Sequence, residues 1–176
     1  FSWFDAKERD MSKRDYKWLR SIWTRTLIDS STDRYIGKLF SVSTNVPRFL
    51  ESFPDAKILY MIRDPLSVIP SGLSLVTGVL DKRFGFWSLP KNRRAHFISR
   101  LYKALIELQV RFVMDWNSGT IDRKRVMLVH FDDLMQNFDS LMTEIVKFVG
   151  HNPDDAMITD IKETAKKQRE FKSKHK

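Results

Sequence analysis

The sequence contains no cysteine. That removes disulfides, thiolate metal sites and a thiol nucleophile together, and it fits a reducing compartment; a cytoplasmic location is the expectation. Histidine is scarce as well. His96, His130, His151 and His175 stand far apart in no metal-ligand spacing, so no metal site is expected. No apolar run approaches the length that spans a bilayer. The opening residues, FSWFDAKERD, lack an initiating Met and carry charge where a signal peptide has an apolar core, so the chain reads as a fragment of something longer. Glycine is limited to Gly37, Gly72, Gly78, Gly85, Gly119 and Gly150, none of them in a phosphate-loop pattern. Zinc-finger spacings, Gly-aromatic RNA-binding signatures and repeats are missing too, and no nucleic-acid partner is expected.

What is present describes an ordinary core. The chain has 176 residues, 42% of them hydrophobic, which suits one folded domain over 1–176 and excludes a disordered chain. Net charge is +9, and Lys162–Lys176 supplies +5 of it. Such a tail suits an anionic partner, or is a basic helix end in water.

Periodicity gives the element order. Tyr16, Leu19, Trp23 and Leu27 recur at helical spacing behind a capping box formed by Ser12 and Asp15. RYIGKLFSVST (34–44) mixes β-branched and aromatic residues and reads as a strand, followed by a short helix over Pro47–Phe53. A strand over Lys57–Arg63 comes next, so strand, helix, strand predicts a parallel crossover. VTGVLDKRFGFWSLPKN reads as a loop whose Phe84, Phe86 and Trp87 either line a substrate site or pin the loop to the core. Phe97, Leu101, Leu105, Leu108, Phe112 and Trp116 then mark one long helix. RVMLVHF (125–131) resumes as a buried strand containing His130, read as a core histidine. It ends in Asp132 and Asp133, which cap a helix running to Gly150. The fold class is α/β with an open, mostly parallel sheet flanked by helices, whose ligands bind at strand C-terminal ends.

KILYMIRDPLSVIPSGLS (57–74) is the most informative stretch. Five apolar residues stop at Arg63-Asp64-Pro65, where Asp64 suits a helix cap and Pro65 its first position. The first N–H groups of a helix attract phosphate, and Arg63 adds a planar fork of donors. Ser71, eight residues on, offers a hydroxyl to the same anion if the helix bends at Pro70. Arg63 paired to a carboxylate and Ser71 facing water is the alternative. Lys38 and the Arg93–Arg94 pair reach either a ligand or solvent.

FPDAKILYMIRDPLSVIPS resembles the 3′-phosphate-binding segment of sulfotransferases that use 3′-phosphoadenosine 5′-phosphosulfate (PAPS). VMLVHFDDLMQNFDSLMTEIVKFVG resembles their later strand and helix, with Asp132, Asp133 and Leu134 at the strand's close, and REFKSKHK is similar to a basic stretch near the end of bacterial members. The resemblance implies that Arg63 and Ser71 bind the cofactor's 3′-phosphate. It also implies an incomplete sulfotransferase fold of the kind built like P-loop nucleotide hydrolases, since the Gly-containing loop that cradles the phosphosulfate is not found. Where many relatives carry Lys and His at a strand end, this chain has Ser43 and Asn45. Neither works as a general base near neutral pH, though Asn45 can hydrogen-bond an acceptor or sulfuryl oxygen. The implied activity is transfer of a sulfuryl group from PAPS, as co-substrate and with no metal, to an acceptor hydroxyl or amine on a small molecule or carbohydrate. A non-catalytic anion- or partner-binding module with a basic tail is the rival reading.

Overall fold

The computed structural model describes residues 10–170. They form a mostly helical α/β arrangement with a small, open, two-strand parallel sheet, smaller than the sheet expected. Two compact units emerge, one comprising the chain through Ala56 together with Leu66–Asp122, the other Lys57–Pro65 together with the chain from Arg123.

The first unit begins with helix α1 (Ser12–Ser30). Its predicted apolar stripe is used: Tyr16 meets Phe49 and Phe53 edge-on at 5.6 Å, and Trp23 lies 5.1 Å from Phe53. The predicted capping box does not form. Asp10 accepts the Ser12 N–H at 2.9 Å, the Ser12 hydroxyl accepts from Arg48 Nε at 3.2 Å, and Asp15 pairs with Arg14. The carboxylate placed before the helix wins because it reaches the first orphan donors without competing for its own backbone.

The strand expected over 34–44 is absent. Those residues run as exposed coil into a 3-10 turn, Ser41–Thr44. β propensity is realised only against a neighbouring strand, and among the described residues no strand pairs with this segment; Tyr35 stacks on Trp23 at 5.1 Å instead. The predicted crossover therefore loses its first strand. Helix α2 (Val46–Ser52) follows, with Val46, Phe49 and Leu50 buried.

Helix α3 (Pro65–Phe84) begins at the predicted proline but runs well into the expected loop, carrying Pro70 inside it. Gly85, at φ 63°, ends it by adopting the left-handed conformation that side chains disfavour. A 3-10 turn (Phe86–Ser88) then leads to helix α4 (Lys91–Asn117). Phe86 is buried against Phe97, 5.4 Å away, while Phe84 and Trp87 are exposed. Of the three aromatics, then, one pins this turn. Gly72 lets α3 approach α4 closely, since a Cβ there would lie 3.0 Å from Leu105 Cδ1.

The second unit holds the sheet. Strand β1 (Ile58–Ile62) pairs in parallel with β2 (Val126–His130), Leu59 opposite Met127 and Ile62 opposite His130. Val126 and Val129 are buried, but His130 is exposed, against expectation, because it is the last residue of its strand. The helix expected after β2 is two helices, α5 (Phe131–Gln136) and α6 (Phe138–Phe148), separated at Asn137. Asn137 leaves helical geometry, as a side chain that competes for local backbone bonds readily does. At the far end the Gly150 N–H donates to Lys147 and the His151 N–H to Val146, a paired closure made possible by Gly150 at φ 90°. Lys57 adds a hydrogen bond to the Phe148 carbonyl and lies 5.2 Å from that residue's ring. Helix α7 (Asp155–Glu170), capped by Asp154 on the Met157 N–H, buries Ile161 and Ala165. No helix among the described residues is long and apolar enough to cross a membrane.

Candidate nucleotide-binding residues

Arg63 stands one residue beyond β1, and Phe131 stands one residue beyond β2. Because Ile62 and His130 are partners in the parallel register, both chains leave the sheet at the same level. The Arg63 guanidinium lies 4.3 Å from the centroid of the Phe131 ring. A guanidinium over an aromatic ring is held by the ring's negative face. The contact is made through the guanidinium carbon, and the N–H groups around it are the donors an anion would meet. Arg63 is exposed. The same strand ends carry Asp132 and Asp133 into the first turn of α5, where they complement the helix dipole; the cap position is His130, without a side-chain bond, rather than either acid.

Phe131 is the residue that sequence reasoning missed. A signal was available: it occupies the same offset from its strand as Arg63 does from β1.

Ser71 is the seventh residue of α3, next to Pro70, and is exposed. It belongs to the first unit and Arg63 to the second. Asn45 and Ser43 do not end a strand. Asn45 closes the 3-10 turn and its Oδ1 accepts the Arg48 N–H at 3.3 Å, capping α2. Lys38 sits 5.4 Å from the ring of Phe40, and Arg94 lies 5.8 Å from that of Trp87. Both cations thus lean on neighbouring aromatics. The basic tail is less basic where it is described: in α7, Lys162, Lys166, Lys167 and Arg169 are offset by Asp155, Asp160, Glu163 and Glu170. The remaining lysines of that tail and His175 lie outside the described residues. Each of the six glycines is placed, and none follows a strand.

With this geometry in view, comparison with known proteins gives a class. The sulfotransferase family matches residues 2–155, most of the chain, and the chain belongs to that family. It is accordingly a transferase. No curated protein and no solved structure matches it. The family match stops where α7 begins, so the REFKSKHK resemblance lies beyond it.

Proposed function

We propose that this chain is the PAPS-binding part of a sulfotransferase domain, a single α/β domain of the P-loop-like kind, and that Arg63 and Ser71 grip the 3′-phosphate of the nucleotide. The observation that carries this reading is Arg63 lying over the Phe131 ring at the ends of the two paired strands. A guanidinium resting on Phe131 has less freedom to lose when a ligand arrives, which reduces the ordering cost of binding. Ser71 adds a hydroxyl from the helix that follows. The 3′-phosphate distinguishes PAPS from commoner adenine nucleotides, so these two residues act in selection and positioning rather than on the bond that breaks.

Bound PAPS would supply the activated sulfuryl group. The chain's own part is to orient it and to hold an acceptor hydroxyl or amine, on a small molecule or carbohydrate, in line with it. Asn45 contributes on the acceptor side through its amide N–H groups, while its oxygen accepts from the Arg48 N–H.

Calorimetry tests the reading. Adenosine 3′,5′-bisphosphate is expected to bind more tightly than adenosine 5′-monophosphate, and Arg63→Ala to erase the difference. A charge-assisted hydrogen bond lost from such a site costs about 1.5–3 kcal/mol, roughly ten- to a hundredfold in affinity. Equal affinities of the two nucleotides for the unaltered chain would discard it.

A further inference from the structure

Within the first unit, α3 closes on Phe84, α4 opens at Lys91, and Gly72 meets Leu105 between them. The turn joining the two helices therefore lies at one end of the pair, about 18 Å along α3 from that contact. It is built on one buried side chain. Phe86 is 3% exposed and packs on Phe97, Gly85 takes the left-handed conformation, and the Asp81 carboxylate accepts the Trp87 backbone N–H at 2.9 Å. Around that anchor three large apolar side chains stay in water: Phe84 at 76% exposed, Trp87 at 49% and Leu89 at 39%. The turn is fixed by its backbone and by Phe86, and these three side chains are left over.

The same stretch is basic. From 81 to 94, Lys82, Arg83, Lys91, Arg93 and Arg94 stand against one acid, Asp81, whose carboxylate is engaged inside the turn. Helix stability does not explain the charges on α4: its first turn holds Lys91, Arg93 and Arg94 with no acid and no side-chain cap, at the end where the helix dipole disfavours cations. The Arg94 guanidinium lies 5.8 Å from the Trp87 ring, so cation and indole sit together. Exposed apolar side chains rimmed by charge mark an interaction surface. A protein interface of ordinary size engages about 20–30 residues a side, more than this turn supplies. A nucleic-acid single strand would stack its bases on flat rings, and Leu89 has none. An anionic bilayer needs only a plane of negative charge above an apolar layer, where indole rings settle at headgroup level and Lys and Arg are drawn to the surface.

We propose that the turn between α3 and α4 docks on an anionic lipid surface, with Phe84, Trp87 and Leu89 entering the boundary between headgroups and acyl chains while the flanking lysines and arginines meet the headgroups. The proposal goes beyond the nucleotide reading and uses neither Arg63 nor Ser71.

Co-sedimentation of the full chain with vesicles tests it, using phosphatidylcholine and phosphatidylserine in equal parts against phosphatidylcholine alone. The mixed vesicles are expected to bind the chain more tightly. Phe84→Ser with Trp87→Ser should weaken that binding about tenfold or more, with the melting temperature nearly unchanged because both side chains are largely in water already. Each cation near an anionic surface is worth about fivefold, so Lys91→Gln with Arg93→Gln should also cost about tenfold or more, and it removes charge from a helix end that disfavours it. On α1, Trp18→Ser removes an aromatic 63% exposed, and Lys13→Gln with Lys17→Gln removes two exposed cations; each should cost less than about threefold. Arg63→Ala should leave vesicle binding unchanged, so the nucleotide reading and this one fail separately. Equal binding to the two kinds of vesicle, no loss in either turn variant, or an equal loss in the α1 variants would each overturn it. So would displacement of the chain from mixed vesicles by polyglutamate or oligothymidylate at an equal concentration of negative charge, which would make an acidic peptide or a single strand the better partner.

Discussion

A single arginine shows how much of this site lies within local sequence and how much does not. The Arg-Asp-Pro stop marks Arg63 as a strand-end residue, and that much is legible because Pro is favoured at a helix's first position, where its missing N–H costs nothing. Its aromatic support is not, since Phe131 is distant in the chain and meets it only through strand register. Phe131→Leu keeps an apolar side chain and removes the ring face; cation–π support of about 0.5–1 kcal/mol predicts a two- to fivefold loss of bisphosphate affinity by calorimetry, with the melting temperature nearly unchanged. Unaltered affinity would mean the ring does not organise the guanidinium. Asp10 gives a second residue-scale test. Hydrogen bonding from Ser12, side chain first and then backbone, holds its carboxyl below the ordinary value of 3.8, with Arg48 assisting. A depressed carboxyl stabilises the fold above its unfolded value and loses that contribution as pH falls through the folded one. Asp10→Asn should thus melt lower than the unaltered chain at about pH 6, and the gap should close on acidification to about pH 2. Asn45 carries the matching lesson: its residue type ruled out a base, but only the structure revealed that its oxygen caps a helix.

At the scale of elements, long periodic helices and the two doubly apolar strands were readable, because burial on a fixed face leaves its period in the sequence. α1 and α4 follow their helical periods and β2 its buried run, while β1 forms where its apolar run lies but leaves Leu59 and Met61 exposed on one face. The failures share a cause. RYIGKLFSVST has strand-like residues that no strand pairs with among the described residues, and the α3 extension through Gly78 overrides a loop-like composition because its Thr77 side is buried. Such outcomes depend on neighbours, which no local window contains. Gly72 illustrates a tertiary demand at element scale. A Cβ there would approach Leu105 Cδ1 to 3.0 Å and Cδ2 to 3.2 Å. Gly72→Val should therefore destabilise the chain by about 1–3 kcal/mol in urea unfolding through overpacking. Adding Leu105→Ala should make the pair less damaging than the sum of the two single changes. Strict additivity would show that the two helices do not meet through this contact.

For the whole molecule, the decisive feature is that neither unit is one continuous stretch of chain. β1 lies between α2 and α3 of the first unit in sequence, yet its only strand partner among the described residues is β2, reached after α4. Cutting after Asp122 would leave β1 with its apolar residues, Leu59 and Met61 among them, and no ladder to enter. An unpaired apolar strand does not hold its conformation alone and is a template for aggregation. Residues 1–122 expressed alone are therefore expected to keep helical circular dichroism, melt without a sharp transition and aggregate as concentration rises. The nucleotide reading makes the same demand, because Arg63 is held by Phe131 from beyond the cut. The fragment should show no preference for the 3′,5′-bisphosphate over the 5′-monophosphate. A cooperative melt within a few degrees of the intact chain, measured by calorimetry on fragment 1–122, would show that the parallel pair is not what ties the sequence into one folding unit.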